Sequence, residues 1–158
     1  MARTYFNVIV HLVFHTKSTA CVMKEEDLSR IFQYIGGIAR DMTGYVYKVG
    51  GMTDHVHILT PLPVTISISD FVRTIKANTS KWIKWIKSLN EDYKDFAWQE
   101  GYGVFSVSES SKHDVIQYIE NQKLHHKKRT AIEEFLLFLE KNGYDCDAQT
   151  GIVKKRDV

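Results

Sequence analysis

Proline, cysteine and long apolar runs are all scarce in this chain of 158 residues, and each scarcity excludes a class of protein. Two prolines and no low-complexity run are not the composition of a disordered protein. No segment approaches the roughly 18 consecutive apolar residues of a membrane span, so no membrane partner is expected. The two cysteines, Cys21 and Cys146, lie far apart and form no CxxC pair, which favours reduced thiols and a cytoplasmic location.

Common enzyme signatures are missing as well. The sequence contains no GxGxxG, GxxxxGK, HExxH or GxSxG motif. Gly50-Gly51 precedes a strand pattern rather than a helix, so a phosphate site at a helix N-terminus is not indicated and no nucleotide cofactor is expected. The net charge of +2 permits a nucleic-acid partner without requiring one.

The hydrophobic pattern switches between the period of a strand and the period of a helix. Period-two alternation predicts strands over residues 5–15, 45–49, 54–60 and 98–108. A period near 3.6 predicts helices over residues 24–42, 67–89, 112–127 and 132–141. Ser111 with Asp114 is a candidate capping box for the third helix. The fourth helix is expected to bury Ile132, Phe135, Leu136 and Leu139.

The order of these elements is βαββαβ followed by two helices, which is the split βαβ arrangement of ferredoxin-like α+β folds. We therefore expect a four-stranded antiparallel sheet with helices mainly on one face, and further helices towards the C-terminal end. The length suits one core, so residues 1–158 are predicted to form a single domain. From about residue 143 the chain is predicted to be a flexible tail.

The segment His55-Val56-His57 places two imidazoles two residues apart on a predicted strand. Residues i and i+2 of a strand point to the same face, so both rings can reach one metal ion. Neutral imidazole is a common ligand of divalent transition metals. Two ordinary strand histidines with no metal are an equally compatible interpretation at this stage.

Tyr118 and Gln122 lie four residues apart on the predicted helix over 112–127, which puts them on one face, one turn apart. The helix could therefore pack through Val115, Ile116 and Ile119 and present both polar groups at its flank. A tyrosine at the edge of an amphipathic helix is also a common packing residue.

The helix predicted over 67–89 carries a basic face. Arg73, Lys76, Lys84 and Lys87 project into one narrow sector at about 100° per residue. This face could follow the phosphates of a nucleic acid, or it could be a solvated surface. Trp85 points away from the apolar stripe of the same helix and could be exposed.

The combination of these segments resembles the single-tyrosine HUH transposases of the insertion-sequence 200/605 type, where HUH denotes His-hydrophobic-His. The resemblance covers nearly the whole chain. Each matching piece is common by itself, and the combination is specific. The pieces are residues 11–17, residues 50–59 with His55-Val56-His57, residues 80–83, residues 96–108, and Tyr118 to Gln122 followed by residues 125–128.

The resemblance implies an enzyme that cleaves and rejoins single-stranded DNA at the ends of an insertion sequence. His55, His57 and Gln122 would bind a divalent ion, Mg²⁺ or Mn²⁺, and Tyr118 would form a 5′-phosphotyrosine intermediate. The implied partners are single-stranded DNA with hairpin ends and a second copy of the chain, whose histidine pair Tyr118 could serve. The candidate DNA contacts are Lys17, Arg73, Lys76, Lys81 and Lys84.

Two other functions are compatible with parts of this pattern. A plasmid relaxase or replication initiator uses the same HUH and tyrosine chemistry, commonly in larger chains. A non-catalytic ferredoxin-like nucleic-acid-binding module would expose aromatic residues on an open sheet face for base stacking. The residues available for that role are Tyr45, Tyr47, Tyr102 and Phe105.

Overall fold

A computed structural model of the chain describes residues 2–86, 93–125, 129–147 and 153–156. Backbone contacts divide the chain into two compact units, Met1–Gln122 and Lys123–Val158. The single domain over 1–158 stays a prediction. Of the residues singled out from the sequence, Lys87 and positions 126–128 lie outside the described residues. Within the described part of the chain, no helix is both long and apolar enough to cross a membrane.

The first unit is built on one antiparallel sheet of four strands: β1 (Ile9–His15), β2 (Lys48–Met52), β3 (His55–Pro61) and β4 (Gly103–Val107). Their spatial order is β2-β3-β1-β4, and all three pairings are antiparallel. This is the order of the split βαβ arrangement, so the predicted ferredoxin-like fold is confirmed. β1 begins at Ile9, later than the predicted start at residue 5, and Tyr5 and Phe6 before it are 86% and 51% exposed.

Two helices cover one face of this sheet: α1 (Leu28–Thr43) and α2 (Ile68–Trp85). α1 ends at Gly44, which adopts the left-handed conformation (φ 79°) and donates its N–H to the carbonyl oxygen of Arg40. α2 begins after Ser67, whose hydroxyl oxygen accepts the N–H of Asp70. The main core lies between these helices and the sheet. Its fully buried members include Leu12, Phe14, Ile31, Ile35, Val56, Ile58, Phe71 and Ile75.

A third helix, α3 (Lys112–Glu120), packs on the opposite sheet face through a smaller cluster of Ile9, Leu59 and Ile119. The predicted capping box of Ser111 and Asp114 is wrong, because the Ser111 side chain makes no cap hydrogen bond. The chain instead enters α3 through a 3₁₀ turn over residues 109–111. The hydroxyl oxygen of Ser108 accepts the N–H of Ser111, so the turn shifts the cap three residues upstream.

The helix predicted over 112–127 is interrupted. α3 ends at Glu120, Asn121 leaves the helical conformation (φ −93°, ψ 19°), and a short helix, α4, spans Gln122–His125. Gln122 keeps its relation to the preceding turn, because its side-chain nitrogen donates to the carbonyl oxygen of Tyr118 at 3.2 Å. The expected neighbourhood of Tyr118 and Gln122 therefore survives the break.

The second unit contains α5 (Ala131–Lys141) and a hairpin of β5 (Tyr144–Cys146) and β6 (Val153–Lys155). Ile132 is 70% exposed, so its predicted burial is wrong, whereas Leu139 is buried. The flexible tail expected from about residue 143 stays a prediction; the described residues of that segment include these two paired strands. Gly143 turns the chain (φ 85°), and its carbonyl oxygen accepts the N–H of Arg156, whose side chain also pairs with Asp145 at 2.7 Å.

Candidate active site

The candidate site lies on the sheet face that α3 covers. Alternation along β3 sends Val56 and Ile58 into the main core, so His55 and His57 point to the other face. Both histidines are almost completely buried, at 2% and 5% exposure. Their ring centroids are 5.0 Å apart, so the predicted side-by-side placement of the two imidazoles is what the structure has.

His55 is held from both sides of its ring. Nδ1 lies 2.7 Å from Oδ1 of Asp54, and Nε2 lies 2.9 Å from Oε1 of Gln122. Gln122 is itself buried, at 1% exposure, and is oriented by the hydrogen bond from its side-chain nitrogen to the carbonyl oxygen of Tyr118. The hydrogen-bond distance between Nε2 of His55 and Oε1 of Gln122 thus links β3 to the α3–α4 junction.

The hydrogen-bond roles around His55 favour a cation between His55 and Gln122. Asp54 accepts from Nδ1–H, so a neutral His55 turns the lone pair of Nε2 towards another acceptor, the oxygen of Gln122. Such a pair is satisfied by a second proton on the ring or by a cation that both atoms coordinate. Two ligands at right angles on one ion with bonds near 2.1 Å stand roughly 3 Å apart, which is close to the observed 2.9 Å. The donor set therefore fits a divalent metal.

His57 has a partner that sequence reasoning did not assign. Its Nδ1 lies 2.8 Å from Nε2 of His11, a fully buried residue of β1. Burial lowers the pKa of His11 to about 4, so this ring is neutral at neutral pH. His11 faces Leu59 in the β1–β3 register, which makes His57 its diagonal neighbour on the same face. Only the strand register reveals this contact, since the two residues are 46 positions apart.

Tyr118 completes the group from α3. Its ring is half-buried and stands edge-to-face to His57, with ring centroids 5.6 Å apart and an interplanar angle of 88°. The four residues predicted for metal binding and nucleophilic attack, His55, His57, Tyr118 and Gln122, therefore meet within one chain. In the described part of the chain, no three side chains of His, Cys, Asp or Glu form a metal-binding group, so the candidate ligand set is two imidazoles and one amide.

The close approach of α3 to the sheet depends on Gly50 in β2. A Cβ at this position would lie 2.7 Å from Cγ2 of Ile119 and 3.0 Å from the Ile119 carbonyl oxygen. Ile119 is the immediate neighbour of Tyr118, so the missing side chain lets the tyrosine turn settle onto β2 and β3. From the sequence alone, Gly50 is only an interruption of a strand pattern. Its role depends on contact with Ile119 of α3, which lies far along the chain.

We expect Gly50→Ala to lower both stability and the DNA cleavage that the family resemblance implies. The added methyl group must push the last turn of α3 away, which should cost about 1–3 kcal/mol of unfolding free energy. A displacement of Tyr118 by as much as 1 Å should slow catalysis by up to roughly 100-fold. Thermal unfolding and a cleavage assay at a temperature where the variant is folded would measure the two effects separately.

Gly37→Ala is the matched control for this change. Gly37 lies inside α1, and a Cβ there meets no atom within 4 Å. Alanine at an open helix position should leave stability unchanged or raise it by up to about 1 kcal/mol. Unaltered cleavage by Gly50→Ala would show that the fit between Gly50 and Ile119 does not position Tyr118.

Comparison with known proteins identifies the family. A sequence profile described as Transposase IS200 like matches residues 4–122, more than half of the chain. The chain belongs to the IS200-like transposase family. The matched segment ends at Gln122, so it includes all four residues of the candidate site and coincides closely with the first compact unit. A search of curated proteins found no match.

Two solved structures resemble this transposase. One is a candidate transposase from Deinococcus radiodurans R1, with 26% identity and a TM-score of 0.51, covering 77% of this chain and 96% of the other. The second is a REP-associated tyrosine transposase bound to a REP hairpin, with 14% identity and a TM-score of 0.55, covering 80% and 73% of the two chains. The second likeness shows the fold alone.

The candidate DNA contacts of this transposase differ in whether they line a cavity beside α2. Arg73, Lys76 and Lys84 line one cavity of about 480 Å³ between α2 and residues 96–102, whereas Lys17 and Lys81 are exposed outside it. Lys76 is tied down: its Nζ donates to the carbonyl oxygens of Gln99 and Gly101 at 2.9 and 2.6 Å, and burial lowers its pKa.

Arg73 is paired with Asp70 on the surface of α2 and remains 75% exposed. Lys84 is exposed at the same cavity. Trp98 also lines the cavity, and its buried indole N–H has no acceptor among the described residues. Trp85, by contrast, is 77% exposed, as its position on the helix indicated. The structure thus separates one structural lysine, Lys76, from the cations that a DNA strand could reach.

Among the described residues of the first unit, both faces of the sheet are covered by helices, which leaves no open face there for base stacking. α3 covers the face opposite the main core, Phe105 is buried at 7% exposure, and Tyr47 packs against the α3 cluster. Tyr45 and Tyr102 are exposed, at 56% and 39%, but they lie at opposite edges of the sheet order, next to β2 and β4. These positions do not favour the non-catalytic stacking module.

Proposed function

We propose that this transposase cleaves and rejoins single-stranded DNA at insertion-sequence ends, with Tyr118 as the nucleophile and a divalent metal held by His55, His57 and Gln122. The observation that carries the proposal is the convergence of these four side chains at the contact of β3 with the α3–α4 junction. The facing lone pairs of His55 and Gln122 support a bound cation there.

His55 would bind the metal through Nε2 and Gln122 through Oε1, while Nε2 of His57 would be the third ligand atom. Two imidazoles and a neutral oxygen suit Mn²⁺ and also admit Mg²⁺. When bound, the ion offsets negative charge at the scissile phosphate and leaves coordination positions for phosphate oxygens. Asp54 fixes the ring of His55 by accepting from Nδ1, which is the usual way a carboxylate orients a ligating histidine.

Tyr118 would carry out the covalent step. The phenol oxygen attacks phosphorus, the bond between phosphorus and the 3′ oxygen breaks, and the product is a 5′-phosphotyrosine. The phenol loses its proton and the departing 3′ oxygen gains one, giving a 3′-hydroxyl. A 3′-hydroxyl of another DNA end then attacks the same phosphorus and releases the tyrosine. One ester replaces another at each step, so no ATP is consumed.

The remaining side chains position the tyrosine. The edge-to-face contact with His57 and the hydrogen bond from Gln122 to the Tyr118 carbonyl oxygen fix the ring against two of the proposed ligands. The entropy lost in orienting the reacting groups is a substantial part of the barrier in such reactions. A half-buried phenol held in this way loses little of that entropy on reaching the transition state.

We also propose that the DNA substrate carries hairpins, that the enzyme acts as a homodimer, and that it works in the cytoplasm. The hairpin is supported by the fold likeness to a transposase bound to a REP hairpin. The family resemblance supports the dimer. The free thiols of Cys21 and Cys146 are compatible with a reducing compartment.

The decisive experiment combines the purified protein with labelled single-stranded DNA from the flanks of its gene. In the presence of Mg²⁺ or Mn²⁺, a protein–DNA adduct that survives denaturing electrophoresis is expected, and EDTA should prevent it. If no flanking strand gives an adduct with either metal, while the folded protein is shown to be intact, the proposed reaction is wrong.

The cavity beside α2 leads to a separate prediction about DNA affinity. Lys84→Gln should weaken single-stranded DNA binding several-fold at low salt and reduce the slope of log K against log salt by about 0.7, the value for one lost phosphate contact. Lys81→Gln removes the same charge from the same helix outside the cavity and should have a smaller effect. Fluorescence anisotropy across a salt series measures both. Equal effects would mean that the cavity does not define the DNA path.

A further inference from the structure

His11 is the least accessible polar group of the candidate site, and neither the metal set nor the nucleophile explains it. It lies in β1, one of the two central strands, and is fully buried. It contacts both a proposed metal ligand and the proposed nucleophile. Its Nε2 is 2.8 Å from Nδ1 of His57, and its ring centroid is 6.4 Å from that of Tyr118. A buried imidazole costs free energy unless its polar atoms are used, so the position calls for a role.

The direction of the His11–His57 hydrogen bond decides whether His57 can bind a metal. If Nε2–H of His11 donated, Nδ1 of a neutral His57 would accept and the proton of His57 would sit on Nε2. That nitrogen could not then coordinate an ion. If Nδ1–H of His57 donates instead, Nε2 of His57 carries the lone pair that a ligand needs. The tautomer of His57 therefore depends on which of the two rings donates in this hydrogen bond.

We propose that His11 is a positioning residue that accepts the Nδ1–H of His57, and so holds His57 in the tautomer and orientation that present Nε2 to a divalent metal. This proposal rests on the metal site proposed above. His11 would play for His57 the part that Asp54 plays for His55, with a neutral acceptor in place of a carboxylate. Partners of this kind typically change metal affinity by about 10–100-fold.

The position in the sheet explains how the orientation is kept. His11 pairs with Leu59 of β3 on one side and Phe105 of β4 on the other, and both neighbours are buried. Its backbone is fixed by two antiparallel ladders, so the side chain can shift little without disturbing the centre of the sheet. A partner for His57 is thus built into a strand that is paired on both sides.

Two variants test the role of His11 through Mn²⁺ affinity, measured from the electron paramagnetic resonance signal of free Mn²⁺. His11→Leu removes the acceptor and should weaken binding about 10–100-fold. In His11→Gln the side-chain oxygen can accept the same hydrogen bond, so affinity should recover most of that loss. Phe105→Leu is the control, because it disturbs packing beside His11 and leaves the His11–His57 hydrogen bond in place.

A measurement on the unaltered protein tests the same proposal without depending on the folding of any variant. Long-range ¹H–¹⁵N correlation spectra of the metal-free chain report the tautomer of each histidine, and His57 is expected to carry its proton on Nδ1. A proton on Nε2 of His57, or full Mn²⁺ affinity in folded His11→Leu, would overturn the role of His11 and leave the proposed enzyme intact. Absence of Mn²⁺ binding by the unaltered protein would instead overturn the metal site itself.

Discussion

Tyr118→Phe is expected to abolish the covalent protein–DNA adduct and to slow strand cleavage by at least about 10³-fold, since loss of a nucleophile removes the whole covalent pathway. The substitution deletes one oxygen and keeps the aromatic ring, so the edge-to-face contact with His57 should persist. DNA affinity and thermal stability should therefore remain close to those of the unaltered protein. Denaturing electrophoresis of end-labelled DNA, together with anisotropy and thermal unfolding, measures the three quantities.

Tyr47→Phe is the matched control for this experiment. Tyr47 packs against the same small cluster as Tyr118, and it is a tyrosine within the same unit. Its ring lies under the ammonium group of Lys112, 5.0 Å from the ring centroid, and it has no proposed part in the chemistry. Cleavage by Tyr47→Phe should be normal. An adduct that persists in Tyr118→Phe and disappears in Tyr47→Phe would exchange the roles assigned to the two residues.

The second large effect is expected from His57→Ala. Removing one of three ligands should weaken Mn²⁺ binding and reduce cleavage by more than about 100-fold, because even residues that only orient a ligand cost 10–100-fold when lost. The Tyr118 phenol remains in this variant, so a residual adduct at very high Mn²⁺ concentration would be consistent with a weakened site. Metal titration of the cleavage rate separates lost affinity from lost chemistry.

His113→Ala provides the comparison for His57→Ala. His113 is exposed on α3, on the same helix as Tyr118, and belongs to no proposed ligand set. Its loss should leave Mn²⁺ affinity and cleavage unchanged. If His57→Ala cleaves DNA with the metal dependence of the unaltered enzyme, then His57 is an ordinary buried strand histidine and the metal proposal fails at that residue.

Mixing the two inactive variants, Tyr118→Phe and His57→Ala, asks which copy supplies the tyrosine. In the arrangement within one chain, Tyr118 stands 5.6 Å from the His57 ring of its own chain, so a mixture should remain inactive. Recovered cleavage would show that the α3–α4 segment exchanges between copies and serves the partner's histidine pair.

Local periodicity determines most of the fold. Alternation over a strand depends only on neighbouring residues, which is why His55 and His57 could be assigned to one face and Val56 to the core. The i and i+4 spacing of Tyr118 and Gln122 likewise survived the break at Asn121, because a hydrogen bond spans that turn. The wrong predictions are the cap at Ser111, where a 3₁₀ turn moves the cap to Ser108, and the burial of Ile132, which is 70% exposed.

The sequence by itself determined the order of strands and helices and the placement of the two histidines on one face of the sheet. It also determined the resemblance to a transposase family, through segments that include the histidine pair and Tyr118. Only the tertiary structure decided that His11 bonds to His57 and that Gly50 allows Ile119 to pack closely against β2. The physical reason is that a repeat of 2 or 3.6 residues fixes which side a residue faces. Strand register and the distance between a helix and a sheet are set instead by packing among residues far apart in the chain, which local patterns do not encode.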